Sequence, residues 1–336
     1  MFDKDFLATT PKTRLWAMGR QNTILLVISS GLSIIGSLIT FITYAAFRDI
    51  HTTSRHIIVC ISIADFLTVT ANLVGLFFIP PNTGVDVPCQ VQSFIGSTFV
   101  LSSFLWTVML GVYLYITLVK ENQELAEKLA RPWFHILCWL LPLLINVVAI
   151  NLQVLGNSKD DTSSGWCWID LETGKRDKQI MWMIIDGKGI EILSYVLSLI
   201  LYTKIKSHIR KKIKKYERVE SSSSQFSRHR TVSAAKNTDR KLIFIPICLI
   251  LLRIWGTIRF FMYVHGKDHY SLTLDHILLY MQAIGDNLQG AVNCVLFCFL
   301  TPKVFSHIRD SFKYCCMREK TALLNTEIEA STISED

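Results

Sequence analysis

Seven long apolar segments alternate with short polar ones along the chain, at 23–47, 57–79, 91–119, 133–152, 179–203, 242–264 and 274–300. Each is long enough to cross a bilayer, which takes about 20 mostly apolar residues in a helix. Helices are predicted because hydrocarbon offers the backbone no hydrogen-bond partners. The pattern therefore predicts an all-α fold, an integral membrane bundle of seven transmembrane helices.

Charged residues interrupt four of these segments. The second contains Asp65, and the fifth contains Asp186, Lys188 and Glu191. A charge at the bilayer centre costs about 2.5–3.5 kcal/mol on insertion scales, so we expect the charges of the fifth segment to face the bundle interior. The remaining charges are Arg253 and Arg259 in the sixth segment and Asp275 and Asp286 in the seventh.

The composition excludes a soluble domain of this size. Half of the 336 residues are hydrophobic and 18% are charged, whereas soluble domains contain about 25% charged residues. The net charge of +8 would suit nucleic acid, but a soluble nucleic-acid-binding protein would not place its basic clusters between long uncharged segments. No nucleic-acid partner is therefore expected.

Lysine and arginine are unequally divided between the two sides of the predicted membrane. The side that contains the C-terminus has 23 of them in its loops and tail, and the other side has nine. The richer side is cytoplasmic by the positive-inside rule. We therefore predict an extracellular N-terminus (1–22) and a basic third cytoplasmic loop (204–241). We expect a multi-pass protein of the plasma membrane. The basic run 210–215 is expected to bind anionic lipids of the inner leaflet.

Two of the nine cysteines, Cys89 and Cys167, lie away from the span interiors on the predicted extracellular side. Disulfides form and persist in this oxidising medium. We predict a Cys89–Cys167 disulfide that holds the loop after the fourth span over the mouth of the bundle. Two free thiols are the alternative.

The segment 301–316 places Val304, Ile308 and Phe312 at steps of four, with basic residues on other faces. This spacing predicts a short amphipathic eighth helix along the inner leaflet, followed by a disordered cytoplasmic tail (317–336). Cysteines at the end of such a helix are candidates for palmitoylation, and hydroxyl residues in the basic loop and tail are candidates for phosphorylation. The modification candidates, for which an unmodified state is the alternative, are Cys315, Cys316, Ser233, Ser331, Thr332 and Ser334.

Ionisable residues inside a membrane bundle are candidates for function. A structural network that fixes the helix register is the alternative role for such groups. For Asp65, which has no partner nearby in the sequence, we favour a polar switch network over a ligand contact. The candidates for contact with a polar or anionic ligand are Trp182, Lys188, Glu191, Arg253, Trp255, Arg259 and Asp286.

Several features together resemble the G-protein-coupled receptors. They are uncharged first, third and fourth spans, a cysteine pair that joins the third span to a loop, a basic third cytoplasmic loop and an amphipathic terminal helix. The seventh span resembles the secretin and adhesion receptors in Gln289-Gly290 and Cys298-Phe299-Leu300, whereas two motifs of the rhodopsin-like family, acidic-Arg-aromatic and Asn-Pro-x-x-Tyr, are absent. The combination resembles the cyclic-AMP-receptor-like group.

This resemblance implies signalling from a small extracellular ligand to a heterotrimeric G protein, with phosphoinositide or calcium output as an expectation of the group. The sixth span would pivot near Pro246. The expected switch network is Asp65, Tyr113, Pro246, Gln289, Gly290 and Asn293. The residues expected to face the G protein are Lys120, Lys128, Arg131, Arg210, Lys211 and Lys212.

A multi-span transporter or channel is the alternative function. The seven spans do not divide into two matching halves, as the repeats of many transporters do. A membrane hydrolase with seven spans would need a cluster of His and Asp around a metal, and the nine histidines are scattered along the sequence. We therefore expect no enzymatic activity, no metal site and no cofactor.

Overall fold

The computed structural model describes residues 11–78, 87–158, 163–171, 175–219, 244–266, 271–299, 304–306 and 309. Seven long helices, α1 to α7, make up most of this part of the chain. The first four are α1 (Pro11–Ala46), α2 (Thr53–Phe78), α3 (Val87–Leu118) and α4 (Trp133–Asn151). The last three are α5 (176–219), α6 (Phe244–His265) and α7 (272–299).

Three of these helices contain one wide π-type turn, a feature that is concentrated at functional sites in proteins. In α4 the turn is Ile136–Leu140. Helix α5 consists of Arg176–Met183, the turn Ile184–Lys188 and Gly189–Val219. Helix α7 consists of Leu272–Asn287, Gln289–Cys294 and the turn Val295–Phe299.

The ends of the helices differ from the ends of the apolar segments. Within the described residues, α1 already includes Pro11, α3 already includes Val87, and α5 still includes Val219, well into the predicted third loop. Apolarity marks the part of a helix that suits hydrocarbon, whereas the helical backbone can continue into the polar region on either side.

Five helical segments of the described chain are long and apolar enough to cross a membrane. They are Gly19–Ala46, Thr53–Phe77, Val87–Leu118, Trp133–Asn151 and Pro246–His265. The fifth and seventh predicted spans are not among them. Helix α5 contains Asp186, Lys188 and Glu191 within its predicted span, and α7 is interrupted at Leu288.

Helix α3 lies at the centre of the bundle, where it packs against α2, α4 and α5, and α1 packs against α2 and α7. On α1 the distribution of apolar and polar residues is the reverse of that on a helix of a soluble protein. Ile28 and Ile35 are more than half exposed, whereas Ser29, Ser33 and Ser37 are buried. An apolar outer face with small polar residues between the helices is typical of a bundle surrounded by lipid.

The contact between α1 and α7 depends on two glycines. A Cβ atom on Gly36 would lie 2.7 Å from the Cα of Ala291, and one on Gly290 would lie 2.5 Å from the hydroxyl of Ser33. The absence of these Cβ atoms lets the two backbones approach closely. Gly290, a predicted switch residue, therefore lies at a tight packing contact between helices.

The interruption of α7 is bonded to two neighbouring helices. In a continuous helix the Gly290 N–H would donate to the carbonyl of Asp286. Here the Gly290 N–H donates to the Ser33 hydroxyl of α1 at 2.8 Å, and the Asp286 carbonyl accepts from the Arg253 guanidinium of α6 at 3.2 Å. The backbone groups at the break are thus satisfied by side chains.

A short antiparallel hairpin lies in the loop between α4 and α5, in which β1 (Leu155–Gly156) pairs with β2 (Trp168–Ile169). The disulfide between Cys89 and Cys167, with Cα atoms 5.6 Å apart, ties this hairpin to the start of α3. The predicted disulfide is therefore confirmed. We call residues 163–171 the lid.

A short helix, Gln123–Ala130, follows α3, and its first turn is capped by the Asn122 side chain, which accepts from the Leu125 N–H. Glu124 and Lys128 form an exposed i,i+4 ion pair on it at 2.7 Å. The third loop beyond Val219, most of the predicted amphipathic helix and the tail lie outside the described residues. So do the modification candidates Cys315, Cys316, Ser233, Ser331, Thr332 and Ser334.

The close approach of α1 and α7 predicts different effects at two glycines of the same helix. Gly36→Ala should destabilise the protein by about 1–3 kcal/mol, as overpacking does elsewhere, because the added methyl group would meet the backbone of α7. Melting temperatures of the purified protein in detergent measure the effect.

Gly31→Ala is the matched control, since nothing lies within 4 Å of a Cβ at Gly31. Its melting temperature should stay at or above that of the unmodified protein. Equal melting temperatures for the two variants would show that α1 and α7 are not in close contact.

Candidate functional site

A small cavity lies beneath the lid, among α2, α3, α5, α6 and α7. Its roof is formed by Trp166, Cys167 and Trp168. Its volume is about 70 Å³, whereas sites for drug-sized ligands enclose about 300–1,000 Å³. The cavity as it stands therefore suits a few water molecules or a very small solute.

The π-type turn of α5 directs polar groups into this cavity. Asp186, in this turn, has non-helical backbone angles (φ −91°, ψ 16°). Its Oδ2 accepts from the Trp168 indole N–H at 3.2 Å, and Gly187 lies directly against the Trp168 ring. Ser97 and Asn146 lie near the carboxyl group, but Oδ1 is buried and accepts no hydrogen bond from the described residues. Asp186 lines the cavity, and one of its oxygens is a buried acceptor without a hydrogen bond from the described residues.

Glu191 is a second polar centre of the site. Its carboxylate accepts from the Lys188 ammonium at 2.6 Å, the Tyr195 hydroxyl at 2.5 Å and the Thr257 hydroxyl of α6 at 2.6 Å. Glu191 is 3% exposed, and a buried charge requires such partners. The four side chains connect α5 to α6.

Arg253 of α6 occupies the floor of the cavity beside the break in α7. In addition to the Asp286 carbonyl, it donates to Gln289 Oε1 at 3.1 Å and lies 3.8 Å from the Asp286 carboxylate. Its guanidinium lies 4.9 Å from the centre of the Phe104 ring. One cation thus connects α3, α6 and α7.

The hydrogen bonds continue from Gln289 deeper into the bundle. The Gln289 amide donates to the Ser103 hydroxyl at 3.2 Å, and Ser103 donates to Asp65 Oδ1 at 2.7 Å. Asn293 donates to the other oxygen of Asp65 at 2.8 Å. Asp65, Gln289 and Asn293 of the predicted switch network therefore lie together.

The same chain of bonds extends upward to the lid through Arg259, which is 2% exposed. Arg259 donates to the Ser163 carbonyl of the lid at 3.1 Å, to Asp275 at 3.1 Å and to Gln282 at 2.6 Å. Gln282 in turn donates to the Asp286 carboxylate at 3.1 Å. A continuous polar path therefore connects the lid with Asp65.

A second, shorter path begins at the disulfide. The backbone N–H of Cys167 donates to Gln92 Oε1 at 2.8 Å, the Gln92 amide lies 3.5 Å from Asn72 Oδ1, and Asn72 donates to Asn287 at 3.0 Å. This path connects the lid to α2 and α7.

The ligand candidates from the sequence divide into two groups. Lys188, Glu191, Arg253 and Asp286 line the cavity. The other three are not among its lining residues. Trp182 is buried in the apolar cluster beneath the hairpin, Arg259 bonds to the lid, and Trp255 is half-buried on α6.

The other candidates lie away from the cavity. Tyr113 is buried in the apolar core towards the far end of α3, and Pro246 is a buried residue of α6. On the proposed G-protein side, Lys120, Lys128, Arg131, Arg210 and Lys211 are exposed. Lys212 pairs with Glu121.

Sequence reasoning missed the uncharged residues that complete these paths. They are Asn72, Gln92, Ser103, Thr257, Gln282 and Asn287. A signal for them was present, because amides and hydroxyls inside apolar spans form hydrogen bonds to other helices. The sequence did not indicate which of them face one another.

The family described as "7 transmembrane receptor (Secretin family)" matches residues 20–293 of this chain. The chain belongs to this receptor family. It is 31% identical to "G-protein coupled receptor 157" of mouse over 88% of this chain and 86% of that protein, and 31% identical to the human protein of the same name over 83% and 80%. The resemblance read from the sequence is thereby confirmed.

The fold of this receptor is similar to that of squid rhodopsin, with a TM-score of 0.64 over 91% of this chain and 87% of that one, at 13% sequence identity. The predicted helical membrane bundle is confirmed. The matched family favours a receptor over the alternatives of a transporter, a channel or an enzyme.

The geometry around Asp65 predicts a stability loss that can be reversed by a second mutation. Asp65 accepts hydrogen bonds from Ser103 and Asn293. Asp65→Asn would turn an amide donor towards one of these donors, and an unsatisfied buried group costs about 1–3 kcal/mol. The melting temperature of the receptor in detergent should therefore fall.

The double variant Asp65→Asn/Asn293→Asp returns one acceptor to the pair and should recover part of the lost stability, which is the test of direct coupling. If the losses from the two single variants simply add in the double variant, the two side chains are not partners.

Proposed function

We propose that this receptor binds a small polar ligand with a positively charged amine in the cavity beneath the lid. Binding would rearrange the polar path that runs from the lid through Arg253 to Asp65. The observation that supports this proposal most directly is the continuity of that path, because a change at the cavity wall can then alter bonds deep in the bundle.

The charges of the cavity favour an amine over an anion. The ammonium of Lys188 is paired with Glu191, and the guanidinium of Arg253 is engaged by Asp286 and Gln289. An anionic ligand would therefore meet cations whose charge is already balanced by carboxylates of the bundle. Asp186 lines the cavity, and a small movement at the cavity wall would expose its oxygen without a partner to an ammonium donor. Hydrogen bonds between charged groups are the stronger ones.

The size of the cavity requires either a very small ligand or movement of the lid. The lid is attached by the disulfide to α3, by Arg259 to α6 and by Gln92 to α3. A larger ligand would therefore enter by breaking the hydrogen bonds of the lid while the disulfide keeps the hairpin attached.

The ligand would activate the receptor by shifting an existing equilibrium, because it can favour the active arrangement only by binding it more tightly. Movement of α6 relative to α5 would open a cleft for a heterotrimeric G protein at the end of the bundle opposite the lid. Exposed basic residues at that end would contact the G protein, and the run at 210–215 would also attract anionic lipids.

We further propose that the lid faces the extracellular medium and the basic end faces the cytoplasm at the plasma membrane. The excess of lysine and arginine supports this orientation, as does the disulfide at the opposite end. The resemblance to the cyclic-AMP-receptor-like group supports a phosphoinositide or calcium output.

The ligand proposal predicts a selective effect of Asp186→Asn. Cells that express the receptor and a panel of G-protein dissociation sensors would be exposed to small amines and amino acids. The intact receptor should respond to a member of this set. The variant should need about tenfold or more ligand for the same response, because it loses a charged hydrogen bond.

Trp182→Phe is the matched control, since Trp182 lies on the same helix but does not line the cavity, and its response should match that of the intact receptor. Cys167→Ser and Arg259→Ala, which release the lid, should both alter the response. An unchanged response in Asp186→Asn would place the ligand elsewhere, and silence of every sensor with the intact receptor would remove the support for G-protein coupling.

The proposed G-protein surface predicts an effect of charge reversal at the end of the bundle opposite the lid. Arg210→Glu/Lys211→Glu should slow G-protein activation about tenfold at low salt, because complementary charge steers association. The difference should shrink as salt is raised. Lys175→Glu/Lys178→Glu, at the exposed lid end of α5, is the control and should leave the rate unchanged. Equal rates for the two double variants would argue against this surface.

A further inference from the structure

A second pocket opens at the end of the bundle opposite the disulfide, between the end of α1, the start of α2 and the start of α4. Its volume is about 340 Å³, and its lining includes Tyr44, His51, His56, Arg131 and His135. Three histidines from two distant parts of the sequence therefore meet at one pocket. This arrangement differs from the expectation that the histidines of the chain are scattered.

Two of these histidines form a compact cluster with a cysteine. The donor atoms of His56, Cys60 and His135 all lie within 4.8 Å of one another. The Cys60 sulfur is 3.8 Å from His56 Nε2, and the two imidazole rings are 5.5 Å apart. His56 and Cys60 are spaced four residues apart on one face of α2, and His135 reaches them from α4.

The surroundings hold this cluster in place. His135 packs edge-on against Trp106 with ring centres 4.9 Å apart, and Trp106 is fully buried. Cys60 is 4% exposed, whereas His56 is exposed at the pocket. A small ion would therefore have a route from the pocket to a buried sulfur, which is a requirement for a metal site.

The donor set indicates which ion would fit. Imidazole nitrogen and thiolate sulfur are the ligands of Zn²⁺, with bond lengths of about 2.0–2.1 Å and 2.3 Å, and tetrahedral geometry places such donors about 3.4–3.6 Å apart. The Cys60–His56 distance is already close to this value, and small side-chain rotations would bring in His135. Mg²⁺ and Ca²⁺ would not suit the cluster, because they prefer oxygen ligands.

We propose that His56, Cys60 and His135 bind one Zn²⁺ ion, with water from the pocket as the fourth ligand, and that the ion ties α2 to α4. Metal binding itself does not depend on the proposed signalling function. An effect on coupling would rest on that function, since Arg131 of the proposed G-protein surface lines the same pocket.

The test uses the full chain purified in detergent under reducing conditions mild enough to keep the disulfide. Zn²⁺ should bind at one equivalent and raise the melting temperature, because it binds the folded state. Co²⁺ at the same site should give an absorption band from cobalt–thiolate charge transfer. Cys60→Ser and His135→Gln should each lower Zn²⁺ affinity by more than about tenfold, and Cys60→Ser should abolish the thiolate band.

Cys248→Ser is the matched control, because Cys248 of α6 is another free cysteine of the described chain, and it should keep both the band and the stabilisation. Without metal, Cys60→Ser and His135→Gln should have melting temperatures close to that of the unmodified protein. If either variant fails to fold, His56→Gln takes its place. No stoichiometric binding by the intact protein, or a thiolate band that persists in Cys60→Ser, would overturn the proposal.

Discussion

A guanidinium in the interior of a membrane bundle needs partners from the protein for its charge and its donors, and Arg253 finds them at the broken backbone of α7. The carbonyl and carboxylate of Asp286 and the side chain of Gln289 supply the acceptors. The break supplies the carbonyl, because Gly290 gives its own N–H to Ser33. The interruption of α7 and the buried cation therefore stabilise each other, and α1, α6 and α7 are joined at this point.

The same requirement explains the low apolarity of α5. A charge exposed to lipid is costly, so Lys188 and Glu191 turn inward, where they pair and recruit Tyr195 and Thr257. The π-type turn just before Glu191 places Asp186 at the cavity wall as well. The features that weaken α5 as a simple membrane span are therefore the ones that build the site.

The sequence was sufficient to predict features that depend on local composition, and a pairing for which only two residues were available. Apolar length predicted the helical bundle, and the position of two cysteines outside the span interiors predicted the Cys89–Cys167 disulfide. It was insufficient for pairings set by the rotation and register of separate helices. Asp65 has no partner nearby in the sequence because its partners are Ser103 and Asn293, on α3 and α7. Helix packing likewise brings His56 beside His135, which no local spacing could indicate.

The distribution of contacts indicates which part of the bundle can move. The interface between α1 and α7 is closely packed around Gly36 and Gly290. Close-packed contacts have low compressibility, so a relative movement of these two helices would cost free energy. Within the described residues α6 packs extensively on α7 and much less on α5. At the level of the cavity, the bond from Thr257 to Glu191 connects α6 to α5. A ligand that perturbs the hydrogen bonds of Glu191 would therefore act where α6 is least constrained. Helix α6 would then move relative to α5 while it stays packed against α7.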